Sequence, residues 1–130
     1  MIRRQLATFA LAGASGFAVD SVVLYCALAL GAGHYAGRLL SFLAAVFVTW
    51  RINRRLTFPT RPGESAWHEW WRYLAAMSAG GAINLAAYSI AIPHLPAAAW
   101  APLLAVAFGT GCGLVFNFLA AKFWVFRGKP

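Results

Sequence analysis

The sequence predicts an all-α integral membrane protein with four transmembrane helices, and its composition, its apolar stretches and an internal repeat support this prediction. Of its 130 residues, 62% are hydrophobic and 11% are charged, whereas soluble domains have about a quarter charged residues. Four apolar stretches each approach the roughly 20 residues that a helix needs to cross a hydrocarbon core of about 30 Å. Helices satisfy every backbone amide internally, as the bilayer requires. Residues 1–130 are therefore expected to form a single transmembrane domain.

The four apolar stretches are residues 6–30, 35–52, 73–92 and 97–123. The connections between the first and second stretches (GAGHYAG) and between the third and fourth (PHLPAAAWAP) contain no Lys or Arg. Basic residues lie at the other ends of the stretches: Arg3, Arg4, Arg51, Arg54, Arg55, Arg61, Arg72, Lys122, Arg127 and Lys129. By the positive-inside rule, both termini are expected to be cytoplasmic. A cleaved signal peptide is disfavoured because the first apolar run is too long and contains Asp20.

The middle connection has a composition of its own. In PGESAWHEWWRY, Ser65 is a candidate N-cap and is followed by three closely spaced tryptophans. This pattern predicts a short interfacial helix over about residues 63–72, because Trp is enriched at the membrane–water interface. Two interpretations remain open: an aromatic belt that anchors a helix end, or a contact surface for a lipid headgroup or a partner.

The second half of the chain repeats the first. TFALAGASGFAVD (8–20) aligns with RYLAAMSAGGAIN (72–84), and TWRINRRLTF (49–58) aligns with NFLAAKFWVF (117–126). The repeats cover about residues 6–58 and 72–126. Because both would enter from the cytoplasm, they are expected to be parallel hairpins related by an axis along the membrane normal. Transporters with such symmetry place the substrate between the repeats.

Each predicted helix has a seam of small or polar residues. The polar members expected to line a substrate path are Asp20, Thr49, Asn84 and Asn117. A carboxylate within a span costs roughly 2.5–3.5 kcal/mol on insertion scales, so Asp20 should face other helices rather than lipid. Two hypotheses stay open for it: a packing residue that fixes the helices, or a partner of Arg38 in a polar path for a headgroup.

Basic residues provide candidate phosphate ligands near both expected faces of the membrane. Arg38 begins the second stretch near the expected outer face, and Arg51, Arg54, Arg55 and Lys122 mark the expected cytoplasmic end. The cytoplasmic group fits membrane topology and attraction to anionic lipid. It also fits capture of a lipid phosphate, for which the arginine guanidinium is well suited.

The motif F-x-x-x-G-x-x-G-x-x-x-D in the first helix, the segment AGRLLSFLAAVFVTWRINRRLTF and the ending VFNFLAAKFWVF resemble the GtrA-like family over nearly the whole chain. One departure is Thr49, where the position matching Asn117 is expected to be Asn. The resemblance implies a bacterial inner-membrane protein of cell-surface polysaccharide synthesis, as for O-antigen. It implies flipping of a polyprenyl-phosphate-linked sugar or the carrier, such as undecaprenyl phosphate, and a polyprenyl-phosphate glycosyltransferase as partner.

Two alternatives to a flippase come from other functional classes. The protein could recruit the glycosyltransferase without transporting anything, or it could be a small proton-coupled drug exporter that uses Asp20. The strong Lys/Arg bias argues against the exporter, because small exporters of that kind tend towards dual topology.

The sequence gives no indication of an enzyme, a cofactor, a metal or a nucleic-acid partner. Its three histidines, His34, His68 and His94, are scattered over three connections and lack metal-ligand spacing. The glycines of GTGCG are expected to pack helices, since a phosphate-binding loop would need a preceding strand. Membrane lipid is an expected partner. A homodimer is a further expectation, because four helices alone enclose little space for a sugar.

Overall fold

The computed structural model describes residues 1–58, 63 and 65–127, except the side chain of His34. Its long helices are α1 (Ile2–Ala29), α2 (His34–Ile52), α3 (Ala66–Ala91) and α4 (Ala101–Ala120). A 3₁₀ turn, Ile92–His94, follows α3. No strand occurs in these described ranges.

Four helical segments are long and apolar enough to cross a membrane. They are Ile2–Ala29, Tyr35–Thr57, Ala66–His94 and Ala101–Val125. The predicted fold class, all-α with four candidate transmembrane helices, is therefore confirmed. The cytoplasmic location of the termini stays a prediction, and Arg61 and Lys129, which contributed to it, lie outside the described residues.

The chain divides into two compact units. The first covers Met1–Trp70 and contains α1, α2 and the first turn of α3. The second covers Trp71–Gly128 and contains the rest of α3 together with α4.

α2 and α4 each continue into a π-helical turn, Asn53–Thr57 and Ala121–Val125 respectively. The amide of Phe58 donates to the carbonyl of Asn53 at 2.7 Å, and the amide of Phe126 donates to that of Ala121 at 2.9 Å. A π turn is wider than an α turn, so it changes which face the following side chains occupy. Both turns occur at corresponding places in the aligned segments.

An aromatic pair lies beside each π turn. Phe58 packs edge-on against Phe9 with ring centroids 6.5 Å apart, within the first unit. Phe126 packs against Tyr73 at 6.1 Å within the second unit. All four rings are buried. Positions that correspond in the sequence alignment therefore make corresponding ring contacts inside their own units.

The segment predicted as a short interfacial helix forms the start of α3. Residues 66–72 continue without a break into the rest of Ala66–Ala91. The Ser65 hydroxyl accepts a long hydrogen bond, 3.5 Å, from the amide of His68. Whether this part of α3 lies at headgroup level stays a prediction, and Glu64 lies outside the described part of the chain.

Candidate functional site

An ion pair joins α1 and α2 within their candidate membrane spans. Nη1 of Arg38 donates to both carboxylate oxygens of Asp20, at 3.2 and 3.3 Å. Asp20 precedes Ala29, the end of α1, by nine residues, or about 13 Å at 1.5 Å per residue. The Arg38 side chain is 58% exposed and that of Asp20 is 25% exposed. A charged pair thus lies on an accessible face within two candidate spans.

Thr49 lies where α1 and α2 approach closely. A side chain at Gly16 would overlap the Thr49 methyl group, so only glycine permits this contact. The Thr49 hydroxyl donates to the carbonyl of Val46 at 3.0 Å. Close approach through small residues is a usual basis of helix association in lipid.

Asn84 and Asn117 lie at the close approach between α3 and α4 in the second unit. A Cβ at Gly80 would overlap the Asn117 amide, and a Cβ at Gly109 would lie 2.6 Å from Oδ1 of Asn84. A Cβ at Gly113 would lie 3.0 Å from the Cβ of Asn84. Two of the GTGCG glycines, Gly109 and Gly113, are thus at helix contacts.

The amide oxygen of Asn117 is the notable polar atom of this contact. It is buried and has no hydrogen-bond partner among the described residues. A buried acceptor of this kind costs about 1–3 kcal/mol when unpaired. Asn117 therefore provides an acceptor that a ligand hydroxyl could satisfy.

Arg54 has a partner that the sequence analysis did not anticipate. Its Nε lies 3.0 Å from Oε1 of Glu69, whose side chain is fully buried. The indole nitrogen of Trp50 donates to the same oxygen at 2.9 Å. The Arg54 guanidinium also lies over the Trp50 ring, 5.6 Å from its centroid. The charge of Arg54 is therefore largely compensated inside the first unit.

The other candidate cations have no carboxylate partner among the described residues. Arg51 and Arg55 are exposed, next to Arg54 in the first unit. Lys122 belongs to the second unit, where its Nζ lies 5.6 Å from the Phe123 ring centroid and 5.9 Å from that of Phe118. Arg51 and Arg55 therefore remain open to an external anion.

Glu69 is the residue that sequence reasoning missed. It was treated only as part of an interfacial segment, although the chain has just three acidic residues. A carboxylate among closely spaced tryptophans could have indicated a buried, paired side chain, because a buried carboxylate needs a cationic or hydrogen-bonding partner. The identity of that partner depends on how the start of α3 meets the end of α2.

An open groove, here called the aromatic groove, lies between α2 and the start of α3. It is lined by Phe47, Trp50, Ala66, Trp67 and Trp70 and has a volume of about 370 Å³. The Trp50 and Trp70 ring centroids are 5.4 Å apart, and Phe47 lies 5.8 Å from each. These are distances typical of packed aromatic clusters.

No group of His, Cys, Asp or Glu that could hold a metal ion is found within the described ranges. The polar features of the molecule are instead an ion pair inside a candidate span, amides at helix contacts and arginines at a helix end. Together with the four candidate spans, they define a class: a small multi-pass helical membrane protein with polar side chains at its helix contacts.

The comparison with protein families is more specific. Residues 8–126 match the family described as GtrA/DPMS, transmembrane domain, and the chain belongs to this family. The family is generally a non-catalytic membrane component, found in pathways that use polyprenyl-linked sugars. The resemblance derived from the sequence is thereby confirmed. A search of curated proteins gave no match.

Proposed function

We propose that this protein moves a polyprenyl-phosphate-linked sugar, or the polyprenyl phosphate carrier, between the leaflets of the bacterial inner membrane. In this proposal both termini are cytoplasmic, and the product serves the synthesis or glycosylation of a cell-surface polysaccharide. Family membership supports the pathway. The observation that carries the transport step is the Asp20–Arg38 ion pair inside the candidate spans of α1 and α2.

The ion pair has the chemistry that a phosphate in transit requires. A guanidinium has five N–H donors, and the Asp20 carboxylate accepts only from Nη1 of Arg38. The remaining donors of a side chain that is 58% exposed can bind phosphate. Asp20 holds the guanidinium in place and offsets its charge while no ligand is bound. It thus acts as a positioning residue.

The remaining polar residues suggest an order of events. Arg51 and Arg55 first attract the phosphate at the cytoplasmic end, with Lys122 as a further cation. The sugar passes the polar side chains Thr49, Asn84 and Asn117 while the polyprenyl chain stays in lipid. Arg38 receives the phosphate near the opposite face. The passage only lowers a barrier, so its net direction comes from production on one side and consumption on the other.

Flipping in proteoliposomes tests the proposal. The substrate is a fluorescent short-chain polyprenyl-phosphate sugar, and a membrane-impermeant reagent scores its exposed fraction. A charge-assisted hydrogen bond contributes about 1.5–3 kcal/mol, so Arg38→Gln should slow flipping about 10- to 150-fold. Arg4→Gln, which changes an exposed arginine outside this site, is the control and should flip at the wild-type rate.

A double variant separates transport from folding. Arg38→Gln leaves the Asp20 carboxylate without this partner, whereas Asp20→Asn/Arg38→Gln leaves no charge at either position. We expect the double variant to fold, by circular dichroism and gel filtration, and to remain as slow as Arg38→Gln. Wild-type flipping by the folded double variant would refute the proposal. No acceleration by the wild-type protein, with several sugars tried, would instead support recruitment of a glycosyltransferase.

A further inference from the structure

We propose that the aromatic groove binds the first isoprene units of a polyprenyl phosphate, next to the phosphate itself. This inference rests on the proposed function and names the place where the lipid first contacts the protein. The groove has about 370 Å³ of space, near the lower end of the roughly 300–1,000 Å³ of small-molecule pockets. That size suits the beginning of one chain better than the paired chains of a phospholipid.

The groove is open to a ligand from outside the chain. Two of its walls, Phe47 and Trp67, are 49% and 64% exposed, whereas Trp50 is only 6% exposed and forms part of the floor. The ring contacts of Phe47, Trp50 and Trp70 hold these side chains in one arrangement. The groove therefore presents a preformed apolar surface.

The chemistry of the groove favours an apolar chain over a sugar. Its five side chains are one phenylalanine, three tryptophans and one alanine. None of these side chains accepts conventional hydrogen bonds, because an indole only donates. The indole N–H of Trp50 is already bonded to Glu69. The lining therefore offers sugar hydroxyls indole donors at most and no side-chain acceptor.

The edge of the groove favours an anion joined directly to that chain. Arg51 follows Phe47 by four residues within α2, so it lies one helical turn beyond an aromatic wall of the groove. The Arg54 guanidinium covers the Trp50 ring, and Arg51 is exposed. A prenyl phosphate joins its phosphate directly to a branched hydrocarbon. A phospholipid instead inserts a glycerol diester, which would face this apolar lining.

Photo-crosslinking of the full chain in nanodiscs tests the inference. The probe is a C20 prenyl phosphate that carries a diazirine in its first isoprene unit, and labelled peptides are mapped by mass spectrometry. We expect labelling within residues 47–70, prevented by excess geranylgeranyl phosphate but not by equal amounts of hexadecyl phosphate or phosphatidic acid. Removing one aromatic wall by Trp67→Ala should lower labelling about tenfold. Trp100→Ala removes another exposed tryptophan, 53% against 64% for Trp67, elsewhere in the chain and should leave labelling unchanged.

Three results would overturn the inference: labelling outside residues 47–70, equal competition by phosphatidic acid, or wild-type labelling of a folded Trp67→Ala protein. Equal competition would identify a general phospholipid site. Because crosslinking requires no transport, its result tests binding in the aromatic groove independently of the proposed transport function. Labelled groove residues without flipping would refute the transport proposal alone, and flipping without labelling there would refute the groove alone.

Discussion

Replacing Arg54 by Gln should destabilise the protein far more than the same change at its neighbour Arg55. Arg54 neutralises Glu69, a carboxylate that is fully buried, through a 3.0 Å contact. Removing the arginine takes this positive charge away from the carboxylate, and the Trp50 indole N–H, which donates to the same oxygen at 2.9 Å, carries no net charge to replace it. Arg55 is exposed and has no carboxylate partner among the described residues.

The magnitude follows from the burial of the two partners. Breaking a buried ion pair by removing one member costs about 3–5 kcal/mol. The Arg54 side chain keeps 21% of its surface exposed, so we expect the lower end, about 3 kcal/mol. Arg55→Gln should stay within about 0.5 kcal/mol of wild type, as exposed substitutions do.

Reversible unfolding in mixed detergent micelles, followed by tryptophan fluorescence, measures these differences. A double-mutant cycle isolates the pair: Arg54→Gln/Glu69→Gln has no buried charge left and should recover most of the loss. We expect a coupling free energy of about 2 kcal/mol between the two positions, within the range for contacting residues. Equal stabilities of Arg54→Gln and Arg55→Gln, or additive single effects in the cycle, would refute the reasoning.

Two further predictions concern packing within the second unit. Gly80→Ala places a methyl group on the Asn117 amide and should lower the free energy of unfolding by about 1–3 kcal/mol. Gly81→Ala places its methyl group in open space and should be neutral or slightly stabilising. Unfolding of both variants in detergent measures the difference. Phe126→Ala removes a ring that is 2% exposed and should cost about 3–5 kcal/mol, but Phe123→Ala, at 65% exposed, should cost much less. Similar losses for the two members of either pair would contradict the packing described here.

The instability expected of Arg54 variants affects how transport experiments are interpreted. Arg54 was a candidate phosphate ligand on charge alone, together with Arg51, Arg55 and Lys122. In an Arg54 variant, loss of the Glu69 ion pair and loss of a phosphate contact would both lower flipping. Arg55→Gln therefore tests the proposed phosphate contact more cleanly.

Much of the fold could be predicted because it depends on local, periodic features. Four apolar stretches were enough to predict the helices, and most observed helix ends differ from the predicted ends by only a few residues. The alignment of Gly16 with Gly80 identified the two glycines that meet Thr49 and Asn117. A glycine and a polar residue at matched positions of adjacent helices leave a clear sequence pattern, because only the small residue permits the approach.

The two π turns and the Glu69 network could not be predicted for different physical reasons. A π turn inserts one residue without any distinctive composition, and the turns at Asn53–Thr57 and Ala121–Val125 share no residue type. Glu69 is 15 residues from Arg54, beyond a connection that no helical periodicity spans. Its pairing depends on where α3 begins, since residues 66–72 extend that helix instead of forming a separate one.

The position of Glu69 has a consequence for the order in which the nascent chain is completed. Arg54 is synthesised 15 residues before the carboxylate that neutralises it. At translation rates of about 5–20 residues per second, this separation corresponds to about 1–3 s. During that interval the end of α2 carries an arginine whose carboxylate partner has not yet been made. Translation of the third span then brings the counter-charge, so the Arg54–Glu69 pair forms only once the second hairpin has begun.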